Sequence, residues 1–140
     1  MRQIFLFAAL AASLALLSGC ALSRAKEDKA EDITGKAAYH KISAEEAYEM
    51  MASQEVVVVD VRTREEYDGG HIENAVLVPN ESIGSETPEA LPDKEATLLV
   101  YCRSGRRSKD AAQKLLELGY QSVYDFGGVI DWPYELVKEG

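Results

Sequence analysis

The sequence predicts one α/β domain built on a mainly parallel sheet. First, short apolar strands alternate along the chain with segments of helical periodicity. Second, the strands are too continuously apolar for a sheet with one wet face. Val56-Val57-Val58-Val59-Asp60-Val61 is the clearest case, and it suits a central strand buried on both sides. Third, 46% hydrophobic and 28% charged residues is ordinary globular usage, enough to fill a packed core.

Each element has its own signal. Ser43-Ala44-Glu45-Glu46 has capping-box spacing and predicts a helix to about Ser53. The Val-rich strand follows. Thr63-Arg64-Glu65-Glu66 repeats the capping-box spacing and predicts a short helix ending near Gly69-Gly70. Ala75 to Val78 reads as a second strand, stopped by Pro79. Asn80 to Pro92, with Gly84, Pro88 and Pro92, reads as a loop with at most a short helix. Thr97 to Tyr101 is the third strand. Ser108 to Leu118 reads as a helix, with Ala111, Ala112, Leu115 and Leu116 at helical spacing and Gly119 placed to end it. Ser122 to Phe126 is the fourth strand, and Gly127-Gly128 turns into a short segment around Trp132-Pro133.

Composition excludes some functions. The 140 residues carry net charge −9, a poor match for nucleic acid, which needs a clustered basic face. The two cysteines, Cys20 and Cys102, form no CxxC or Cys/His cluster, and His40 and His71 lie far apart, so no metal site is expected. Nothing points to an organic cofactor.

Residues 1–19 read as an address rather than part of the fold. Arg2 precedes an apolar run from Ile4 to Leu17, too short for a firm transmembrane helix. Leu17-Ser18-Gly19-Cys20 then resembles the lipobox of bacterial lipoproteins. That resemblance implies lipid on Cys20, cleavage before it, and anchorage to the cell envelope facing outside the cytoplasm. An ordinary secretory signal and a retained anchor are the alternatives. Residues 20–38 are polar and mixed in charge, and read as a flexible tether or, alternatively, a short exposed helix. The folded domain is expected over residues 39–138.

The chemistry concentrates in Tyr101-Cys102-Arg103-Ser104-Gly105-Arg106-Arg107-Ser108. Cys102 follows a strand, and a helix begins a few residues later. Gly105 lets the backbone curl, so successive N–H groups can form an anion-binding nest at the helix N-terminus. Three arginines add local positive charge to an acidic protein. Both effects favour thiolate and predict a nucleophilic Cys102. Fixed backbone donors should matter more than exposed, screened arginines. Ligands of parallel sheets bind beyond the carboxyl ends of the strands, where Asp60 and Arg62 also lie. These two are expected to pair and brace the loop edge. His71 reads as a structural hydrogen-bonding residue, and Trp132 as core or pocket rim.

This segment resembles the active-site loop of rhodanese-like domains. The resemblance extends through Asp60-Val61-Arg62 with Glu65-Glu66-Tyr67, Gly70-His71-Ile72 with Ala75 and Pro79, Leu118-Gly119-Tyr120, and Gly127-Gly128 with Asp131-Trp132. Glu73-Asn74 departs from the Pro-Gly common there. The resemblance implies a three-layer fold, with helices on both sides of a mainly parallel sheet, and sulfurtransferase chemistry. Cys102 would take sulfur from a small anionic donor such as thiosulfate. A thiophilic acceptor, cyanide or a thiol on a small molecule or protein, would remove it. Arg103, Ser104, Gly105, Arg106 and Arg107 would bind the donor and steady the persulfide, with Arg103 and Arg107 the first candidates among the arginines. Two other readings compete. A cysteine phosphatase or arsenate reductase would need Arg at position 108, which is Ser108. A non-catalytic rhodanese-like binding module often lacks the cysteine.

Overall fold

A computed structural model of the chain describes residues 37–138. The expected leader, Cys20 and all but the last two residues of the expected tether lie outside the described residues. The strands are β1 (Ala38–Lys41), β2 (Val57–Asp60), β3 (Val76–Leu77), β4 (Thr97–Cys102) and β5 (Ser122–Gly128). The helices are α1 (Ala44–Ser53), α2 (Arg64–Asp68) and α3 (Arg106–Glu117). Short 3₁₀ turns occupy Asn80–Ser82 and Val129–Asp131. One sheet runs in the order β1-β5-β4-β2-β3, and every adjacent pair is parallel.

The side-chain alternation of β4 divides the molecule into three layers. Leu98, Val100 and Cys102 pack with Ala111, Ala112 and Leu115 of α3. Leu99 and Tyr101 face the other way, toward Ala47 of α1 and Tyr67 of α2. The continuous apolar runs therefore bury both faces of the central strands. Each fully buried Leu or Val contributes about 1.5–3 kcal/mol.

Both capping boxes form. Ser43 Oγ accepts the Glu46 amide at 3.1 Å, and Thr63 Oγ1 accepts the Glu66 amide at 3.2 Å. The glutamates reach back to the Ser43 and Thr63 amides at 2.7 and 3.0 Å. Gly119 leaves α3 with φ +97°, as a helix-ending glycine does.

Three features differ from the sequence expectation. Strand β1 precedes α1 and pairs with residues 122–125 of β5. Gly127 and Gly128 extend β5 instead of leaving it, pairing with Tyr101 and Cys102 beyond a register shift at Val100/Tyr101. Finally, α3 begins at Arg106 rather than Ser108. The sequence offered a serine as a start, but the turn is made by Gly105 at φ +100° with no side-chain cap. The loop after Cys102 is thus only Arg103-Ser104-Gly105, and Arg106 and Arg107 belong to the first turn of α3.

Candidate active site

Cys102 ends β4 at the carboxyl edge of the sheet and is 1% exposed. The Gly105 N–H donates to its Sγ at 3.0 Å. No side chain caps α3 and no acidic residue occupies its first turn, so the positive end of the helix is left for the sulfur. Burial, the largest single influence, disfavours the thiolate. The amides of Ser108, Gly105 and Ser104, with the Ser108 hydroxyl, outweigh it and hold the thiol below its ordinary range. The chief donors are backbone N–H groups, and no arginine is among these main influences.

The arginines divide by role. Arg107 donates from Nη1 and Nη2 to the two Glu66 carboxylate oxygens, at 2.7 and 2.8 Å. Glu66 also belongs to the α2 capping box, so the pair clamps α2 to α3 across the loop. Arg107, expected to bind donor, has its two terminal nitrogens on Glu66 while its charge still acts on Cys102. Arg103 and Arg106 are exposed and, among the described residues, make no ion pair. Ser104 is exposed, and Gly105 supplies the tight turn.

Asp60 and Arg62 form a second buried unit on the α2 side of the sheet. Arg62 Nη2 lies 2.6 Å from Asp60 Oδ2, and its Nε lies 2.9 Å from Oδ1. Nη2 also donates to the Gly70 carbonyl at 2.8 Å. Tyr101 O–H donates to Asp60 Oδ2 at 2.6 Å and accepts the Ile72 amide at 3.1 Å. This unit ties the ends of β2 and β4 to the chain after α2. It sits on the face opposite Cys102 and supports the edge instead of touching the sulfur. His71 Nδ1 meets the Tyr67 carbonyl at 2.9 Å, a geometry that places the proton on Nδ1. Trp132 is half-buried against Phe126, with ring centroids 5.6 Å apart.

A cleft of about 390 Å³ opens beside the loop, lined by residues that include Arg62, Glu65, Arg103, Ile130 and Leu136. A larger cavity of about 740 Å³, around Tyr48, Trp132 and Tyr134, holds none of the loop residues and no nucleophile. Of the two, the smaller cleft is the one that touches the loop, through Arg103.

Sequence reasoning missed two contributors. Asp125, 1% exposed, accepts the Ser108 hydroxyl at 2.7 Å beneath the first turn of α3. Gly128 packs so tightly under the loop that a Cβ there would overlap the Arg103 carbonyl oxygen. The Gly-Gly pair was a visible signal for the second. No pattern in the sequence marked the first.

Comparison with known proteins places the fold in a family. The family model described as the rhodanese-like domain matches residues 43–133. A rhodanese with anions from E. coli is 37% identical, with a TM-score of 0.54 over 59% of this chain and 98% of its own. A rhodanese-like domain protein from Staphylococcus aureus is 30% identical, with a TM-score of 0.62 over 72% of this chain and 99% of its own. A human single-domain sulfurtransferase, TSTD1, is 28% identical, with a TM-score of 0.59 over 66% of this chain and 89% of its own. Among curated proteins, a tRNA uridine(34) hydroxylase of Yersinia pestis is 31% identical over 106 residues. That match spans 72% of this chain but only 30% of the hydroxylase. By family model, identity and fold together, the chain belongs to the rhodanese-like family.

Proposed function

We propose that this protein is a sulfurtransferase that carries sulfane sulfur on Cys102. The observation behind this reading is the Gly105 amide 3.0 Å from Sγ, at the N-terminus of a twelve-residue helix that no side chain caps. In the first step the Cys102 thiolate attacks the outer sulfur of thiosulfate or a similar donor. The donor S–S bond breaks, sulfite leaves with its electron pair, and a Cys102 persulfide anion remains. In the second step a thiolate or cyanide takes the outer sulfur, and its bond to Sγ breaks to restore the thiolate. No proton need move in either step if both nucleophiles arrive ionised. The loop amides are placed for the charge on the outer sulfur. Arg103 and Arg106 are the free cations for donor binding, and Ser104 and Gly105 contribute backbone.

The short loop favours this reading over phosphate-ester chemistry. Gly105 already caps α3 three residues after Cys102, which makes a small cradle suited to one sulfur atom. Hydroxylation is not carried over from the Yersinia relative, since the shared part is a minority of that protein. We further propose that lipid on Cys20 holds the domain at the envelope, outside the cytoplasm. Labelling with a fatty-acid analogue should then disappear in Cys20→Ala, and equal labelling would refute the anchor.

Steady-state thiocyanate formation from thiosulfate and cyanide tests the enzyme. Two-step transfer predicts parallel double-reciprocal lines and complete loss in Cys102→Ser. Turnover retained by that variant would overturn the proposal.

A further inference from the structure

Among the described residues, Asp60 and Asp125 are the buried carboxylates. Asp60 is matched by the buried Arg62. Asp125 has no buried cation. Its partners are hydroxyls, an amide and one exposed lysine: Tyr39 O–H at 2.7 Å and Lys41 Nζ at 3.3 Å from β1, Ser108 O–H at 2.7 Å from α3, and the Gly127 N–H at 2.9 Å from β5 itself. Burying a carboxylate costs stability unless it is fully hydrogen-bonded. Its position under the N-terminus of α3 offsets part of that cost.

Two of these bonds act on the Cys102 loop from opposite sides. Ser108 is the third residue of α3 and is fully buried. Its backbone N–H and its hydroxyl both favour the Cys102 thiolate, and that hydroxyl lies 2.7 Å from Asp125 Oδ1. A serine in a first helical turn is otherwise free to bond its own backbone. Here the Gly105 and Gly127 carbonyls, at 3.1 and 3.3 Å, are the more distant acceptors. The same Oδ1 accepts the Gly127 amide two residues on, at the register shift that gives Gly127 φ +92°. That turn places Gly128 under Arg103 and Ser104. One carboxylate thus fixes both the helix above the sulfur and the strand below the loop.

We propose that Asp125 is a positioning residue for the Cys102 nucleophile, latching the Ser108 hydroxyl to β5 so that the first amides of α3 stay aimed at Sγ. This rests on Cys102 being the nucleophile, but its test needs no sulfur transfer. The readout is the rate of Cys102 alkylation by iodoacetamide as a function of pH, with thermal melting alongside.

Ser108→Ala removes the latch together with the hydroxyl's own bond to the sulfur and keeps the Asp125 charge, so the alkylation midpoint should rise by about one unit, lowering the rate at neutral pH about tenfold. In Asp125→Asn, Oδ1 still accepts from Ser108 and a negative charge is lost, so the midpoint should move down. Asp125→Leu removes the acceptor as well and should raise it. If Asp125 acted only through its charge, both Asp125 variants would move the midpoint down. That pattern, or an unchanged midpoint in Ser108→Ala, overturns the proposal. Should Asp125→Leu fail to fold, Asp125→Ala, which removes the acceptor without adding bulk, makes the same test: a raised midpoint supports the latch and a lowered one overturns it.

Discussion

Gly128→Ala is the sharpest perturbation of the active-site loop. The added Cβ would overlap the Arg103 carbonyl oxygen and lie 2.6 Å from Ser104 Cα, against 3.4 Å for ordinary contact. The obstacles are backbone atoms on a strand end and a three-residue loop, with no flexible side chain to swing away. The loop must therefore retreat by at least roughly 0.8 Å at Ser104 Cα, and by more at the Arg103 carbonyl oxygen. The Ile130 amide, which donates to the Arg103 carbonyl at 3.2 Å, resists that movement. Misplacement of reacting groups by about 1 Å costs on the order of 100-fold in rate. Overpacking of this kind destabilises by about 1–3 kcal/mol, which lowers Tm by some ~4–20 °C for a domain this size. The assay is kcat/KM for thiocyanate formation together with a thermal melt. Gly84→Ala is the control, because its Cβ meets nothing within 4 Å. It should leave activity unchanged and stability within about 0.5 kcal/mol. Gly128→Ala with wild-type kcat/KM and wild-type Tm would refute the packing argument.

Other expectations follow from the same geometry. Arg107 pulls the Glu66 carboxyl down to about 2 from 4.5; burial opposes this and the Thr63 amide assists it. A depressed carboxylate stabilises the fold above its unfolded pKa, and that contribution disappears as pH falls from about 4.5 to about 2. Glu66→Gln should therefore lose about 1 kcal/mol at neutral pH, after allowance for solvent screening, and little near pH 2. Urea melts at both pH values check this, and an equal loss at both contradicts it. Asp60→Ala leaves Arg62 buried without its carboxylate and should cost about 3–5 kcal/mol by urea denaturation; a loss under about 1 kcal/mol would show that the pair is not structural. The lowered Cys102 thiol predicts an alkylation rate that levels off below the ordinary thiol value of 9.0, falling at lower pH as the thiolate is protonated. A midpoint at or above that value would mean the amides fail to outweigh burial.

Much of this was legible in the sequence, for local reasons. The Val-rich run and Thr97 to Tyr101 advertise buried strands through composition alone. Ser43 with Glu46, and Thr63 with Glu66, announce helix starts because a capping box is a contact between near neighbours. Cys102 was visible because strand end, glycine and arginines are contiguous. The rest depends on distant partners. Ala38–Lys41 has no strand signature of its own and becomes β1 through a ladder with residues 122–125. The start of α3 was placed two residues late because Gly105, with no side-chain cap, makes the turn, and the Ser108 hydroxyl serves Asp125. Asp125 carried no local signal, since its partners Tyr39 and Lys41 come from the strand that was not foreseen. Arg107 looked free because Glu66 lies forty-one positions away.

The central claim is that Cys102 carries sulfur. Its most direct test is intact-mass measurement of the protein after incubation with thiosulfate and removal of excess donor. Sulfur carriage predicts a gain of one sulfur atom, located on Cys102, absent in Cys102→Ser and removed by cyanide. An unchanged mass, together with hydrolysis of a phosphate ester by the same preparation, would contradict it.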